Sequence, residues 1–524
     1  MIKRVERGWA NAPAGVKSAF FTALLVGIIT HMTGITNFFQ NHDSILNLFD
    51  TSKTPYGRWL SGIVGALGGS VTGTGTFIFL GVLFIAVSAG LAVAFLKIRS
   101  RLLAGLAGAM LVTFPSVVCA NAYIFTAMTI LISILFASLA VYCADKGGFG
   151  ATLAVLFLTL ALGAYQAFIS YAAGLFILGL VLDLFRGVDD TRAFILRGLK
   201  YVGILILAVG LYYAVMRLDL YLHASQLTTY MGIDQVGLVR LGNIPGLILG
   251  AYVKVAKFFL LDSYGEATVL SVWLYRISLL VGGVTYLALI VKTRLYRNAL
   301  HTVLSLVLML LFPLAIHLIA VLGQTTDTHW IMMYSFVLLP VMLIAFADLA
   351  NDQAGEPEEA RTSGKRFFSL LAAAALVLGL GQTYMWFSVT GECYTALRLS
   401  NNATHTAAMK LCSDLIDAGC TEDTPLALIG DGQAPFFTPP SGLYSKGQYT
   451  GMIDTGFLQS TEHVYAYLDT IMGLPFTRAD AAQLDAVASE SEAIAGMPVY
   501  PRDGSIAYVD GVLTVKLSEL EADG

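Results

Sequence analysis

The chain has 524 residues and a formal net charge of −4, with 56 % hydrophobic and only 13 % charged residues. Soluble globular proteins carry about 25 % charged residues, so the composition excludes an ordinary soluble enzyme. No dense Lys/Arg stripe occurs outside short loops, which argues against a nucleic-acid binder. The balance is uneven: the part before Phe387 is apolar and mildly basic, and the tail from Thr390 onward is acidic.

In chain order, the basic start "MIKRVERGWANAPAGVK" leads into an apolar run without an A-x-A-like cleavage site. It reads as a first membrane anchor rather than a cleaved signal. Uncharged windows of about 18 to 22 residues then recur, each long enough to cross a ~30 Å hydrocarbon core. Backbone in lipid must satisfy its own hydrogen bonds, so each is expected to be helical. About eleven spans are expected, with cores near 18–37, 76–96, 102–119, 123–142, 150–163, 166–184, 201–216, 270–291, 302–322, 330–348 and 367–387. The break "GAYQAF" is weak, and one kinked helix plus a re-entrant piece is the alternative for 150–184. The Gly-rich "GGSVTGTGTF" at 68–77 has no Lys and reads as a flexible lead into the second span.

Loop charges set the orientation. One side carries eighteen Lys and Arg and the opposite loops before the tail carry six. The richer side is cytoplasmic, which puts the N-terminus inside and, with an odd number of spans, the tail outside. The outer face then carries the loop 38–75, the long loop 217–269, the short loop 323–329 and the tail. The polar, informative residues gather there.

In the first of these loops, a carboxylate at Asp43 can act as general base toward a hydroxyl; equally, Asp is a favoured N-cap for the helix "SILNLF". His42 precedes it. Arg58 suits phosphate oxygens through its planar fork, or anchors at the interface beside Trp59, an ordinary belt residue. Asp50 and Lys53 have no assignable role. In the second loop, Lys254 and Lys257 share one helical face among apolar residues, a pattern for a helix lying in the interface. Their ammonium groups suit lipid phosphates, or simply snorkel toward any anionic headgroup. Arg240 lies upstream of them. The short loop gives Asp327 and His329 beside Trp330. His317 lies deep in the preceding span, where ionisable groups are costly and usually face a cavity.

The tail reads as a small α/β domain. "HTAAMKLCSDLIDAG" is an amphipathic helix with a Gly stop, "PLALIG" a buried strand, and "SIAYVDGVLTVKL" a hairpin turning at Asp510–Gly511. The GDG at 430–432 reads as a turn. Five cysteines show no C-x-x-C spacing. Cys119 and Cys143 pack in or beside spans, and one disulfide among Cys393, Cys412 and Cys420 is permitted if the tail is extracytoplasmic. The expected architecture is an all-α polytopic membrane domain at 1–389, followed by an extracytoplasmic accessory α/β domain at 390–524.

No Walker-type or dinucleotide-binding glycine motif occurs, so nucleotide-driven chemistry finds no support. A flipped lipid-phosphate sugar suits the outer face better than a nucleotide sugar, which stays in the cytoplasm. The order of "NHDSILNLF", "GRWL", "TFPSV" and "YQAFISYAAGL" resembles the serotype-converting O-antigen glucosyltransferases, a bacterial family of the GT-C membrane glycosyltransferases. The resemblance is best over residues 20–190 and does not reach the tail. It implies an inverting transfer of a sugar, glucose for this family, from a polyprenyl-phosphate donor to an extracytoplasmic cell-surface glycan, in a bacterial cytoplasmic membrane. Asp43 fills the position of the base. The family often has two adjacent acids there, and this chain has His42 before Asp43, which leaves the second acid's role open. The same resemblance carries a donor-phosphate role to Arg58 through the GRW segment; Lys254 and Lys257 join it on their own helical pattern. Weaker substrate contacts fall to His42, Trp59, Arg240, Asp327 and His329. No metal or other cofactor is indicated. The competing readings are a glycan polymerase or ligase, and a lipid-sugar flippase or transporter; no internal repeat supports the latter.

Overall fold

The computed structural model describes residues 8–48, 54–67, 75–228, 241–261, 269–323, 328–351, 365–430, 457–458 and 460–519. Asp50, Lys53, Arg240 and Asp327 lie outside the described residues. The chain divides into two compact units. One comprises residues 1–37, 50–121 and 126–391, and the other 38–49, 122–125 and 392–524.

Among the described residues, ten helices are long and apolar enough to cross a membrane: Ala14–Thr36, Gly75–Leu96, Arg101–Ala122, Gly147–Ala164, Gln166–Arg186, Thr191–Leu222, Leu270–Lys292, Ala299–Ile316, Trp330–Asn351 and Arg366–Asp417. Ala127–Cys143 is a further, shorter apolar helix. Each expected span therefore has a helix, and the protein is a helical multi-span membrane protein with a small sheet near its C-terminus.

Local chemistry explains the helix ends. Ser100 accepts the Leu103 N–H and starts the third span. That span breaks at Phe114, whose extended backbone (φ −56°, ψ 133°) precedes Pro115. Asp190 caps Thr191–Leu222 by accepting from the Arg192 and Ala193 N–H groups. Between Ala164 and Gln166, Tyr165 is extended (φ −156°, ψ 114°), so "GAYQAF" is a true break and not one continuous helix.

In the first unit, the helix Ala14–Thr36 packs closely on its neighbours through small residues, as helices in lipid do. A Cβ at Gly27 would meet Val112 and Val82 at 2.6 Å, and one at Gly108 would meet the Ala19 carbonyl oxygen at 2.4 Å. The basic loop ends are joined by ion pairs. Asp183 receives Lys97 at 3.1 Å, Arg186 at 3.1 Å and Arg197 at 2.5 Å. Asp145 receives Arg197 at 2.6 Å, Lys200 at 2.7 Å and the Tyr201 hydroxyl at 2.6 Å.

In the second unit, four strands form a sheet in the order β2-β1-β4-β3: β1 Pro425–Ile429, β2 Thr477–Arg478, β3 Ile506–Val509 and β4 Val512–Lys516. β1 pairs in parallel with both β2 and β4, and β3–β4 is the antiparallel hairpin expected from the sequence. Its turn residues Asp510 (φ +48°) and Gly511 (φ +78°) are both left-handed, as a type I′ turn requires. The buried Lys516 ammonium is held by the Met497 carbonyl at 3.0 Å and Glu519 at 2.7 Å.

Two tail expectations are corrected. "HTAAMKLCSDLIDAG" is not a separate helix; it is the end of one helix, Lys365–Asp417. Charges such as Glu392 and Arg398 end an apolar window without ending a helix. The predicted stop does operate: Gly419 (φ +90°) sends its N–H to Ile416, and Cys420 sends its N–H to Leu415, the Schellman pattern. The tail disulfide that the sequence permits is not formed: Cys393, Cys412 and Cys420 are unbridged.

Candidate functional site

The segment holding Asp43 begins with Gln40, whose backbone N–H donates to Asn401 Oδ1 at 3.1 Å and whose carbonyl accepts from Asn401 Nδ2 at 3.0 Å. Phe39 lies beside Tyr394, ring centroids 6.3 Å apart. The short helix His42–Leu46 follows. Its cap is Asn41, whose Oδ1 accepts the Ser44 N–H at 2.9 Å and the Ser44 hydroxyl at 2.6 Å. The capping reading of Asp43 is thereby overturned: the preceding Asn does that work, and the Asp43 carboxylate stays out of the cap.

Asp43 is 46 % exposed, and its Oδ1 lies 3.3 Å from His42 Nε2. The His42 ring is flanked by two aromatic rings of the same unit. Tyr123 meets it edge-on at 6.3 Å, and His463 lies at 6.4 Å. His463 comes from the helix Thr461–Ala466. It is buried, and its Nδ1 is 2.8 Å from the Ser460 hydroxyl. Burial and the neighbouring His42 lower its pKa, against the opposing influence of Asp43 and Glu462, so the ring is neutral near pH 7.

Arg58 belongs to a second cluster, in the first unit. The turn before it is built on Gly57 (φ +67°), where a Cβ would sit 2.7 Å from the Tyr212 hydroxyl and 3.0 Å from Met216 Sδ. Tyr212 donates to the Gly57 carbonyl at 3.1 Å, and Gln166 Nε2 donates to the Tyr56 carbonyl at 2.9 Å and to the Tyr212 oxygen at 3.0 Å. The Arg58 guanidinium lies over Tyr165 at 4.4 Å. Its Nε is buried without a hydrogen-bond partner among the described residues. The "GRW" and "YQAF" stretches thus meet, although more than a hundred residues separate them. Trp59 does not lie in an open belt: a Cβ at Gly163 would fall 2.3 Å from its ring, so the indole fills a slot shaped by that glycine. Tyr212 stands fifteen residues beyond Arg197 on Thr191–Leu222, about 22 Å at 1.5 Å per residue. The Arg58 cluster and the basic ion-pair network therefore occupy opposite ends of that helix.

Lys254 and Lys257 lie on the helix Ile244–Leu260. Its buried stripe of Leu247, Ala251, Val255, Phe258 and Phe259 packs inward, with Lys254 half-buried and Lys257 exposed. Phe258 joins Trp330 (5.3 Å), Phe336 (5.2 Å) and Phe114 (6.1 Å) in an aromatic cluster. His317 Nε2 is 3.0 Å from the Thr328 hydroxyl. His329 caps the following helical turn and lies 3.8 Å from Cys119 Sγ, while Ser116 donates to the Trp330 carbonyl at 2.6 Å. "TFPSV" is thereby fixed to the residues around His329. Among the described residues no group of three His, Cys, Asp or Glu could hold a metal ion.

Residues 32–345 match the family described as Glucosyl transferase GtrII. The match spans more than half of the chain. This protein belongs to the GtrII glucosyl transferase family. No curated protein matches it. The GtrII match takes in Asp43, Arg58, Lys254, Lys257 and His329, reaches well beyond the stretches quoted above, and ends before the helix that leads to the C-terminal sheet. Membership makes the protein a membrane glucosyltransferase. Sequence reasoning gave no role to Tyr165, Gln166, Tyr212, Tyr123 or His463. The "YQAF" stretch was a signal for the first two; nothing local marks His463.

Proposed function

We propose that this GtrII glucosyltransferase moves glucose, with inversion, from a polyprenyl-phosphate donor to a cell-surface glycan on the outer face of a bacterial cytoplasmic membrane. Asp43 takes the proton of an acceptor hydroxyl. That oxygen forms its bond to the anomeric carbon as the carbon–oxygen bond to phosphate breaks, and the lipid phosphate leaves with the electron pair. Charge growing on that phosphate is met by cations. Arg58 carries this role, with Lys254 or Lys257 assisting. The observation that carries the reading is the state of Asp43: half-exposed, released from capping by Asn41, and paired at 3.3 Å with His42. The Arg58 Nε, buried without a hydrogen-bond partner among the described residues on a guanidinium stacked over Tyr165, supports the phosphate role, because its N–H is left to donate to an anion.

Orientation belongs to the same proposal: N-terminus inside, C-terminal residues outside, supported by the excess of Lys and Arg on one set of loops. The test is transfer by purified protein supplied with polyprenyl-phosphate glucose and surface polysaccharide from cells deleted for this protein. The reading predicts one glucose added per acceptor unit in the inverted configuration. Consumption of a diphosphate-linked oligosaccharide instead would make it a polymerase or ligase.

A further inference from the structure

We propose that His463, from residues beyond the family match, is a positioning residue for the transfer base: it fixes the His42 imidazole, which in turn orients the Asp43 carboxylate. The inference rests on the base role of Asp43 proposed above, and it makes the C-terminal residues part of the catalytic apparatus rather than an accessory.

Asp43 is half-exposed, and among the described residues His42, 3.3 Å away, is what restrains its carboxylate. A half-exposed aspartate on a five-residue helix otherwise samples several rotamers. His42 is itself only 15 % exposed at its side chain. The edge of Tyr123 holds one flank, and the His463 ring, inclined 43° to it, lies 6.4 Å away. His463 is rigid enough to serve as that support. It is 8 % exposed, and its Nδ1 is held at 2.8 Å by Ser460. Ser460 occupies the N-cap position of Thr461–Ala466 yet makes no side-chain cap bond there, because its hydroxyl is committed to the imidazole. A favourable cap interaction is given up to hold this ring. The other ring nitrogen, Nε2, is buried without a hydrogen-bond partner among the described residues. A purely structural His at this position would be expected to satisfy both nitrogens. The charged and titratable groups acting on His463 are His42, Asp43 and Glu462, and Glu462 is itself paired with Arg478 at 2.8 Å. Burial and His42 together keep His463 neutral, so it adds no competing cation beside the carboxylate.

The experiment uses the full-length protein, polyprenyl-phosphate glucose and surface polysaccharide from cells deleted for it. His463→Ala is measured alone and on a His42→Ala background, since an effect relayed through His42 disappears once His42 is gone. The single variant is expected to lose tenfold or more in kcat, with both KM values within twofold, in line with the roughly 100-fold cost of misplacing a reacting group by about 1 Å. On the His42→Ala background the same change is expected to alter kcat by less than twofold. Equal losses on both backgrounds, an unchanged kcat in the single variant, or a His42→Ala enzyme as fast as the parent would each overturn the proposal. Should His463→Ala fail to fold, His463→Asn keeps a group for Ser460 while removing the ring, and the same two comparisons apply. Absent transfer by the unaltered protein, or full activity of Asp43→Asn, overturns the parent reading and is seen without any His463 variant.

Discussion

Replacing Arg58 by Gln and Tyr165 by Leu, singly and together, tests whether the "GRW"–"YQAF" junction grips a phosphate. Arg58→Gln keeps a polar side chain and removes the charge. A charge-assisted hydrogen bond contributes about 1.5–3 kcal/mol, or roughly 12- to 140-fold in donor KM at 1.4 kcal/mol per factor of ten. Tyr165 lies under the guanidinium at 4.4 Å. Such a contact is worth about 0.5 kcal/mol when exposed and about 2 kcal/mol when desolvated, so Tyr165→Leu should raise donor KM by roughly 2- to 30-fold. The two effects run through one side chain. In the Arg58→Gln background, Tyr165→Leu should therefore add almost nothing. The assay is initial-rate transfer against donor concentration at fixed salt, with acceptor KM as the control. Independent, multiplying effects would refute the idea that Tyr165 works by holding Arg58. An unchanged donor KM in Arg58→Gln would remove Arg58 from phosphate binding altogether.

Further outcomes follow from the same contacts. Gly57→Ala places a Cβ 2.7 Å from the Tyr212 hydroxyl at φ +67°, and the left-handed conformation alone costs about 1–2 kcal/mol; transfer should fall at least tenfold while the protein still inserts and purifies. Asp183→Ala leaves Arg186, Arg197 and Lys97 without their shared carboxylate and should destabilise by about 1.5–3 kcal/mol, the range for hydrogen bonds to charged groups, seen as a lower thermal transition in detergent. For His463 the pKa is lowered on folding, so below the ordinary histidine value of about 6.5 the unfolded chain binds a proton that the folded one resists. Stability of the C-terminal residues is therefore full above that pH and falls as pH drops below it; the transition temperature should decline between pH 7 and pH 5 and decline less in His463→Gln.

The spans were legible because an uncharged window of about 20 residues has few alternatives in lipid. The Asp510–Gly511 turn and the Gly419 stop were legible because both need left-handed backbone, which the sequence marks with Gly or Asp. Helix continuity across Glu392 was not, since hydropathy registers where lipid ends and says nothing of where hydrogen bonding ends. That Asn41 and not Asp43 caps this helix was not legible, because the two residue types differ little in capping preference. The clusters around Arg58 and His42 were only half visible. Arg58 and Tyr165, like His42 and His463, come together through tertiary packing across more than a hundred and more than four hundred residues, and no local periodicity encodes such pairs. Trp59 looked like an interfacial belt residue by type; the absent side chain at Gly163 is what turned its position into a packed slot.

The central claim is that Asp43 is the base of the transfer. Steady-state turnover of purified Asp43→Asn on polyprenyl-phosphate glucose tests it most directly, because the amide keeps the shape and cannot take the proton. The account predicts a fall in kcat of about 100- to 10,000-fold, the usual contribution of a general base, with donor KM little changed. Turnover within threefold of the unaltered enzyme would contradict it.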